Sequence, residues 1–240
     1  SGDSVTAVSG DSIYRWSSVS EASLAEALAD VKNGGTLLIA AGTYKLGADG
    51  ASCINLSGFH GTPEHYVNIM PEPGAVVTFD GSSASNGDEL SCFYLEGASY
   101  IRISGIRITG FRAKKSVRAF DIEGGCSHVI IDGCEIAGIR VGSPKTADHC
   151  GNAILCYNTS TEPQTDILLA DNLIHDCATG WSEAISVDGN NKNINIINND
   201  IRRTGNIGID LAGNYPDCCP DAAQNYTRSA VAAGNYVCGE

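Results

Sequence analysis

Short stretches of alternating apolar and polar residues recur along this chain. Residues 185–190, Ile-Ser-Val-Asp-Gly-Asn, return 24 positions later as residues 209–214, Ile-Asp-Leu-Ala-Gly-Asn. Residues 93–97 and 120–124 repeat in the same way, and residues 154–158 fit the same frame. Alternation with a period of two predicts β-strands. Self-similarity at this spacing is typical of a solenoid in which each repeat forms one coil.

A second set of apolar runs lies between these repeats and predicts further strands in each coil. Near the ends of three of these runs, Asn172, Asn199 and Asn235 fall in register. Asparagines stacked at a turn can hydrogen-bond from coil to coil as an amide ladder. The sequence therefore predicts an all-β solenoid that forms a single domain, 1–240. The runs of this second set span 101–108, 129–136, 167–174, 194–201 and 231–237.

One amphipathic helix is predicted before the first strand. The segment 18–21, Ser-Val-Ser-Glu, has the pattern of a capping box. Leu24, Leu28 and Val31 then fall on one helical face, and two glycines at 34–35 end the helix. We expect this helix, 18–33, to cover the open end of the solenoid, where an unpaired strand edge would otherwise promote aggregation.

Two segments near the N-terminus carry a family resemblance. Residues 35–44, Gly-Thr-Leu-Leu-Ile-Ala-Ala-Gly-Thr-Tyr, and 73–81, Pro-Gly-Ala-Val-Val-Thr-Phe-Asp-Gly, resemble the start of right-handed parallel β-helix proteins of the pectate-lyase superfamily. Chondroitinase B and alginate lyases open in a similar way. Further on, Gly-Trp-Ser-Glu-Ala, Asp-Gly-Asn and Asn-Ile-Gly-Ile-Asp, within 180–210, resemble secreted β-helix repeat proteins of undefined activity.

This resemblance covers about residues 20–240 and implies a right-handed parallel β-helix with an N-terminal capping helix. It also implies a protein that acts on carbohydrate. The sequence contains no match to the catalytic residues of the lyases, nor to the aspartate and Gly-His-Gly motifs of polygalacturonases. No catalytic role is therefore transferred by position, because this architecture carries many reactions.

Alternation along the strands predicts which side chains face solvent. If the apolar residues of 93–97, 120–124, 154–158, 185–189 and 209–213 point inward, the residues between them point outward. Neighbouring coils lie about 4.8 Å apart, so these outward residues form two columns on one face. The columns are Tyr94, Asp121, Leu155, Ser186 and Asp210, and Glu96, Glu123, Tyr157, Asp188 and Ala212.

The carboxylates of these columns allow two functional interpretations. Calcium prefers oxygen ligands and would relieve the repulsion between Glu96, Glu123 and Asp188. Alternatively, one carboxyl serves as a general acid while another, among Asp188 and Asp210, serves as base or nucleophile. The structural alternative is a solvated acidic surface screened by salt. On either functional interpretation, Asp121 and Tyr157 are candidates for binding substrate.

A basic cluster and a turn add further candidate residues. Lys114, Lys115 and Arg118, expected in the loop before the strand at residue 120, and His149 could supply the base and the cation that β-elimination of a uronate requires. The alternative is a solvated loop. In the turn before residue 184, Trp181 could stack on a sugar ring or pack under its own loop. Glu183, in the same turn, could join a catalytic carboxylate cluster.

Charge and cysteine content restrict the class of protein. The net charge of −13 excludes a nucleic-acid partner, which requires a basic surface, and argues against a polyanionic substrate. No apolar run of 18 residues is present, so we expect no membrane span. The 10 cysteines include no CxxC pair, which favours up to five disulfides over zinc ligation. Sequons at Asn55, Asn158 and Asn225 favour a secreted, extracellular glycoprotein.

The C-terminal segment, 214–240, is expected to close the last coil. Cys218, Cys219 and Cys238 would staple it to an earlier coil, and the neighbours Cys218 and Cys219 would pair with different partners. Cys156 is expected to face inward. This arrangement predicts a monomer. The alternatives are a partner subunit that covers the C-terminal end, or a longer β-helix of which this chain is a fragment.

The sequence as a whole predicts a secreted carbohydrate-active protein. The leading hypothesis is a polysaccharide lyase that cleaves a uronate-containing polysaccharide by β-elimination, with Ca²⁺ as its one candidate cofactor. The first alternative is a glycoside hydrolase that uses Asp/Glu pairs on the same face. The second is a non-catalytic carbohydrate-binding or cell-wall protein.

Overall fold

The chain winds into successive coils, and the equivalent strands of these coils form three long sheets. The computed structural model describes residues 13–16, 21–47, 52–84, 87–142, 149–214 and 219–239. Within this part of the chain, the strands of the long sheets pair in parallel with the equivalent strands of neighbouring coils. The predicted parallel β-helix, with one helix near its N-terminus, is therefore confirmed.

Strands are numbered along the chain, and the described residues distribute them over three long sheets and one short one. The first sheet contains β1 (Ile13–Trp16), β2 (Gly35–Ile39), β5 (Val67–Pro71), β8 (Ser99–Ser104), β12 (Ser127–Asp132), β16 (Gln164–Ala170), β19 (Asn191–Ile197) and β22 (Val231–Ala233). The second sheet contains β3 (Gly42–Lys45), β6 (Val77–Asp80), β9 (Arg107–Thr109), β13 (Glu135–Ala137), β17 (Leu173–Cys177), β20 (Asp200–Thr204) and β23 (Tyr236–Cys238). The third sheet contains β4 (Ser52–Asn55), β7 (Glu89–Glu96), β11 (Ser116–Glu123), β15 (Cys150–Asn158), β18 (Ile185–Gly189) and β21 (Ile209–Leu211). A short sheet pairs β10 (Arg112–Ala113) with β14 (Arg140–Val141).

The interior of the coil is filled by the inward residues of all three sheets. Phe93 stacks on Phe120 from the next coil, with ring centroids 5.0 Å apart, and Phe79 packs against Phe93 at 5.8 Å. Both Phe93 and Phe120 are fully buried, as are Leu95 and Ile122 two positions along. Burying a large apolar side chain contributes about 1.5–3 kcal/mol, so these columns fix the register of the strands.

An amide ladder runs through one buried turn, as predicted. Asn172 Oδ1 accepts from the backbone N–H of Cys134, and Asn199 Oδ1 accepts from the backbone and side-chain N–H groups of Asn172, each at 3.0 Å. Asn235 continues the ladder at 2.9 Å from Asn199. The amides thus satisfy backbone groups that the turn leaves unpaired inside the molecule.

The helix packs on the first coils and ends at two glycines. Helix α1 spans Glu21–Asp30, shorter than the predicted 18–33, and residues 17–20 lie outside the described part of the chain. Leu24, Leu28 and Val31 are buried in the core, and the helix contacts β1, β2 and β4. Gly34 has a φ of 111°, and a Cβ at this position would lie 2.7 Å from the carbonyl oxygen of His65.

The C-terminal segment is held by hydrogen bonds. Arg228 donates to Asn190 Oδ1 at 2.6 Å and to the carbonyl oxygen of Gln224 at 2.8 Å, while Thr227 Oγ1 donates to the carbonyl oxygen of Val187 at 3.0 Å. Several apolar side chains within this segment and just before it are exposed. They are Ile207, Leu211, Val231, Tyr236 and Val237.

No disulfide joins any of the described cysteines, so the predicted staple is not found there. Cys219 is buried against the carbonyl oxygen of Ser160, Cys238 is exposed, and Cys218 lies outside the described residues. Cys156 faces inward, as predicted, and is fully buried. Secretion stays a prediction. Within the described residues, no helix is long and apolar enough to cross a membrane.

Candidate functional site

The outward side of the third sheet brings the predicted carboxylates together. Strand register aligns Asp121 with Tyr94 and Leu155 on its two neighbours, and aligns Glu123 with Glu96 and Tyr157. The two predicted columns are therefore confirmed, apart from Ala212, which lies beyond β21. We call this surface the acidic face. Its outward residues are Ser91, Tyr94, Glu96, Arg118, Asp121, Glu123, Asn152, Leu155, Tyr157, Ser186, Asp188 and Asp210. Glu183, in the turn before β18, joins the face through its hydrogen bond with Ser186.

Asp121 occupies the centre of the acidic face and is only 3% exposed. Its Oδ2 accepts hydrogen bonds from Ser91 Oγ at 3.1 Å and from Arg118 Nη1 at 2.9 Å. Arg118 lies inside β11 and not in the preceding loop, which corrects the prediction. The apolar pattern of β11 begins at Val117, three residues earlier than the repeat alone indicates, so Arg118 becomes a strand residue.

Glu123 is the carboxyl most changed by its surroundings. Partial burial raises its pKa to about 7, and the negative charge of Asp121 and a hydrogen bond with that carboxyl add to the effect. The same carboxylates act on Tyr94. Burial and the negative charges of Glu123 and Glu96 raise the pKa of Tyr94 to about 12. Near neutral pH, Glu123 is therefore able to hold or release a proton.

A second carboxyl group, Asp188, lies two strands away from Glu123. Ser186 Oγ bridges Glu183 Oε2 and Asp188 Oδ2, at 3.1 Å from each. Burial, with smaller contributions from the charges of Glu183 and Asp210, raises the pKa of Asp188 to about 6 against the lowering effect of a hydrogen bond from Ser186. Burial likewise raises the pKa of Glu183. This cluster therefore contains a second group that titrates close to neutral pH.

Three of the predicted basic residues lie at the edge of the acidic face and not on it. Lys114 and Lys115 are exposed between β10 and β11, and Lys115 forms an ion pair with Asp88 at 2.9 Å. His149 precedes β15, and its carbonyl oxygen accepts from the backbone N–H of Trp181 at 3.0 Å. Among the predicted cations, only Arg118 is brought among the carboxylates.

Trp181 lies in the turn before β18, at the same edge of the acidic face. Its side chain is 54% exposed, which favours the solvent-facing alternative over packing beneath its loop. Asn206 donates to its carbonyl oxygen at 3.0 Å. The ring therefore lies in reach of solvent two residues before Glu183, where it can offer an apolar surface to a sugar.

The predicted calcium ligands, Glu96, Glu123 and Asp188, lie on three different strands of the acidic face. Tyr157 lies between Glu123 and Asp188 in their column, which places Asp188 two strands from Glu123 and three from Glu96. No group of three or more His, Cys, Asp and Glu residues that could hold a metal ion occurs among the described residues. Calcium binding therefore stays a prediction.

Two polar residues of the acidic face were absent from the predicted site. Ser91 fixes the position of Asp121, and Asn152 donates through Nδ2 to the carbonyl oxygen of Glu183 at 2.9 Å. Both are buried. No signal in the sequence identifies them, because alternation from Phe93 and Ile154 assigns both positions to the inward side.

Comparison with known proteins gives one curated relative. No family model matches the chain. The chain is 30% identical over 194 residues to the uncharacterized protein YwoF of Bacillus subtilis (strain 168). The match covers 79% of this chain and 39% of YwoF, so the chain spans well under half the length of that relative.

Three solved structures are similar at low identity. An alginate lyase from Paenibacillus sp. str. FPU-7 is 18% identical with a TM-score of 0.46, over 92% of this chain and 75% of the lyase. A rhamnogalacturonan lyase is 15% identical with a TM-score of 0.36, over 88% and 65%. The A-module of the Azotobacter vinelandii mannuronan C-5 epimerase AlgE4 is 14% identical with a TM-score of 0.23, over 90% and 83%. At these values the similarity assigns no reaction to this chain.

Proposed function

We propose that this chain is a carbohydrate-active enzyme that cleaves a polysaccharide on the acidic face by acid–base hydrolysis. The observation that carries the proposal is the placement of Glu123 and Asp188 on the same outward face, two strands apart, where burial raises the pKa of each carboxyl above its ordinary value. A glycosidase requires such a pair.

The reaction divides between these two carboxyls. Glu123 donates its proton to the glycosidic oxygen as the bond from that oxygen to the anomeric carbon breaks. Asp188 accepts a proton from the water that attacks the anomeric carbon. The two residues lie on strands two spacings apart, about 9.6 Å between backbone positions, which leaves room for a water molecule. Inverting glycosidases hold the attacking water between their two carboxyls, so we expect inversion at the anomeric carbon.

Supporting groups hold the pair in place. Arg118 and Ser91 fix Asp121 beside Glu123, while Ser186 fixes Asp188 beside Glu183. The exposed ring of Trp181 provides a stacking surface for a sugar at the edge of the face. Preorganised hydrogen bonds of this kind reduce the cost of arranging charge during the reaction.

A second candidate reaction is β-elimination of a uronate-containing polysaccharide. The observation that favours it is the position of Arg118 among the carboxylates, because a lyase needs a cation beside the uronate carboxylate. Against it, Arg118 is already paired with Asp121, and Lys114, Lys115 and His149 lie at the edge of the face. An extracellular location and a monomeric state are proposed alongside both reactions.

A polysaccharide panel separates these reactions. Neutral, amino-substituted and uronate-containing polymers are incubated with the protein, with calcium and with a chelator, and reducing ends and unsaturated uronates are followed separately. Hydrolysis releases reducing ends alone, and elimination gives both signals. Glu123→Gln is expected to abolish cleavage, while Glu26→Gln on the exposed side of α1 leaves it unchanged. No cleavage of any polymer by the intact protein would contradict the proposal.

A further inference from the structure

The three sequons of the chain lie at different depths in the fold. Asn55, the last residue of β4, is exposed, whereas Asn158, the last residue of β15, is fully buried and Asn225 is only 5% exposed. An N-linked glycan is a bulky and strongly hydrated group that must lie in solvent. The fold therefore distinguishes three acceptor sequences that are equivalent by pattern.

Asn55 presents its side-chain amide to solvent. It follows buried Ile54 on β4, the end strand of the third sheet, and lies in register with outward Tyr94. Asn55 Oδ1 accepts from the backbone N–H of Ser57 at 2.8 Å, which orients the amide. Asn55 Nδ2, the atom to which a glycan is attached, donates no hydrogen bond to another described residue.

Asn158 has the same turn geometry, but its amide is committed to the fold. Its Oδ1 also accepts from the backbone N–H two residues later, that of Ser160, at 3.1 Å. Its Nδ2, however, donates to the carbonyl oxygens of Glu162 and Asn190, at 2.8 Å each. A glycan would replace one of these N–H groups and put a sugar inside a buried turn, so a chain modified at Asn158 could not reach this fold.

The third sequon takes part in the contacts of the C-terminal segment. The carbonyl oxygen of Asn225 accepts from the backbone N–H of Asn214 at 2.6 Å. The hydroxyl of the sequon, Thr227 Oγ1, donates to the carbonyl oxygen of Val187 at 3.0 Å. A glycan at buried Asn225 would therefore separate this segment from the coil that it contacts.

We infer that Asn55 is an N-glycosylation site of this protein and that Asn158 and Asn225 are not. In the transfer, Asn55 Nδ2 loses one proton and bonds to the anomeric carbon of the first sugar. The bond from that carbon to the diphosphate of a lipid-linked oligosaccharide breaks, and the lipid diphosphate leaves. The glycan then stands beside Tyr94, at the β4 end of the acidic face. This site is independent of the proposed hydrolysis.

Expression of the full chain through the secretory pathway of a eukaryotic host tests the site. Secreted and cell-retained protein are both freed of unfolded chains by limited proteolysis, and then treated with peptide-N-glycosidase, which converts a glycosylated asparagine to aspartate. We expect peptide mapping by mass spectrometry to find this conversion at Asn55 and unchanged Asn158 and Asn225. An unmodified Asn55, or a glycan at Asn158 or Asn225 in the folded protein, would overturn the inference.

Sequon variants provide matched controls. Ser57→Ala breaks the acceptor pattern and leaves Asn55 in place, and Ser57 Oγ has no hydrogen-bond partner among the described residues, so the variant should fold normally and lose the glycan. Ser57→Thr keeps the pattern and should keep the glycan. Ser160→Ala breaks the buried sequon and should leave the glycan mass unchanged. A glycan that survives Ser57→Ala, or one that is lost in Ser160→Ala, would reject Asn55 as the site.

Discussion

At the scale of single residues, burial distinguishes Glu123 and Asp188 from ordinary surface acids. Both side chains point outward from the sheet, yet neighbouring side chains half-cover them and remove part of the water that would stabilise their charges. Each also faces other carboxylates within the same column or the next. The two effects act in the same direction and favour the protonated form.

The pH dependence of activity follows from these two groups. Cleavage needs Asp188 ionised and Glu123 protonated, so the rate should rise as pH increases through about 6 and fall as it increases through about 7. The profile of kcat/KM against pH is therefore expected to be a narrow bell with its maximum between these values. A rate that stays constant from pH 5 to pH 9 would exclude both residues from proton transfer.

Removing the charge of Glu123 should stabilise the protein at alkaline pH. The folded pKa of about 7 lies above the ordinary 4.5, so the folded protein holds this proton more tightly than the unfolded chain. Wild-type stability is then lost as pH rises from about 4.5 to about 7. Since the group is partly exposed, Glu123→Gln should gain about 1–2 kcal/mol at pH 8 and little at pH 4.

Urea denaturation at both pH values measures this effect. The control is Glu26→Gln, an exposed helix residue for which we expect no pH-dependent gain. A Glu123→Gln variant that is less stable than wild type at pH 8 would show that the carboxylate is a structural group. Gain of stability together with loss of activity is the pattern of a site in which function costs stability.

At the scale of elements, the amide ladder binds one coil to the next. Asn199 is 1% exposed, accepts from both N–H groups of Asn172 and donates to the carbonyl oxygen of Leu169. Because the ladder is buried, a polar group that loses its partner there cannot bond to water instead, and the protein is destabilised by the full desolvation penalty of that group. The turn therefore depends on an amide at this position more than on its apolar neighbours.

Truncating this ladder residue should destabilise the protein strongly. Asn199→Ala leaves two N–H groups and one carbonyl oxygen buried without partners, so we expect a loss of about 3 kcal/mol or more in the free energy of unfolding. Asn33→Ala, an exposed turn residue, serves as the control and should change stability little. Thermal and chemical denaturation measure both, and equal effects would show that the ladder adds nothing specific.

At the scale of the whole molecule, core cysteines act as small apolar residues. Cys126, Cys134, Cys156 and Cys177 are buried, and desolvation raises the pKa of each thiol, to about 11 for Cys126 and Cys177 and about 12 for Cys134. A thiol held in its protonated form reacts slowly, since the thiolate is the nucleophile. The stability of the fold then comes from the core and the ladders.

Alkylation followed by mass spectrometry tests this assignment. In the native protein at pH 8, these four cysteines should stay unmodified, and in denaturant without reductant all four should react. Exposed Cys238 provides the internal control and should react in both conditions. Core cysteines that resist alkylation even in denaturant would instead show that the protein is cross-linked by disulfides.

The sequence by itself determined the solenoid and the outward columns. The period-two alternation and its return after 24 to 27 residues leave only one way to bury the apolar positions, because a slip of one residue would turn every one of them to solvent. For the same reason Glu123, Asp188 and Asp210 could be assigned to one face. The asparagine ladder was also visible, as its members recur at one position of the repeat.

Only the tertiary structure decided what surrounds each outward group. The pKa of Glu123 is raised chiefly by burial, and no local pattern shows which side chains cover an outward carboxyl. Loop lengths between coils decided that Lys114, Lys115 and His149 lie at the edge. The cysteine count could not distinguish disulfides from core thiols, because both bury sulfur. A disulfide also requires two cysteines to lie close together in the fold, which a count does not show.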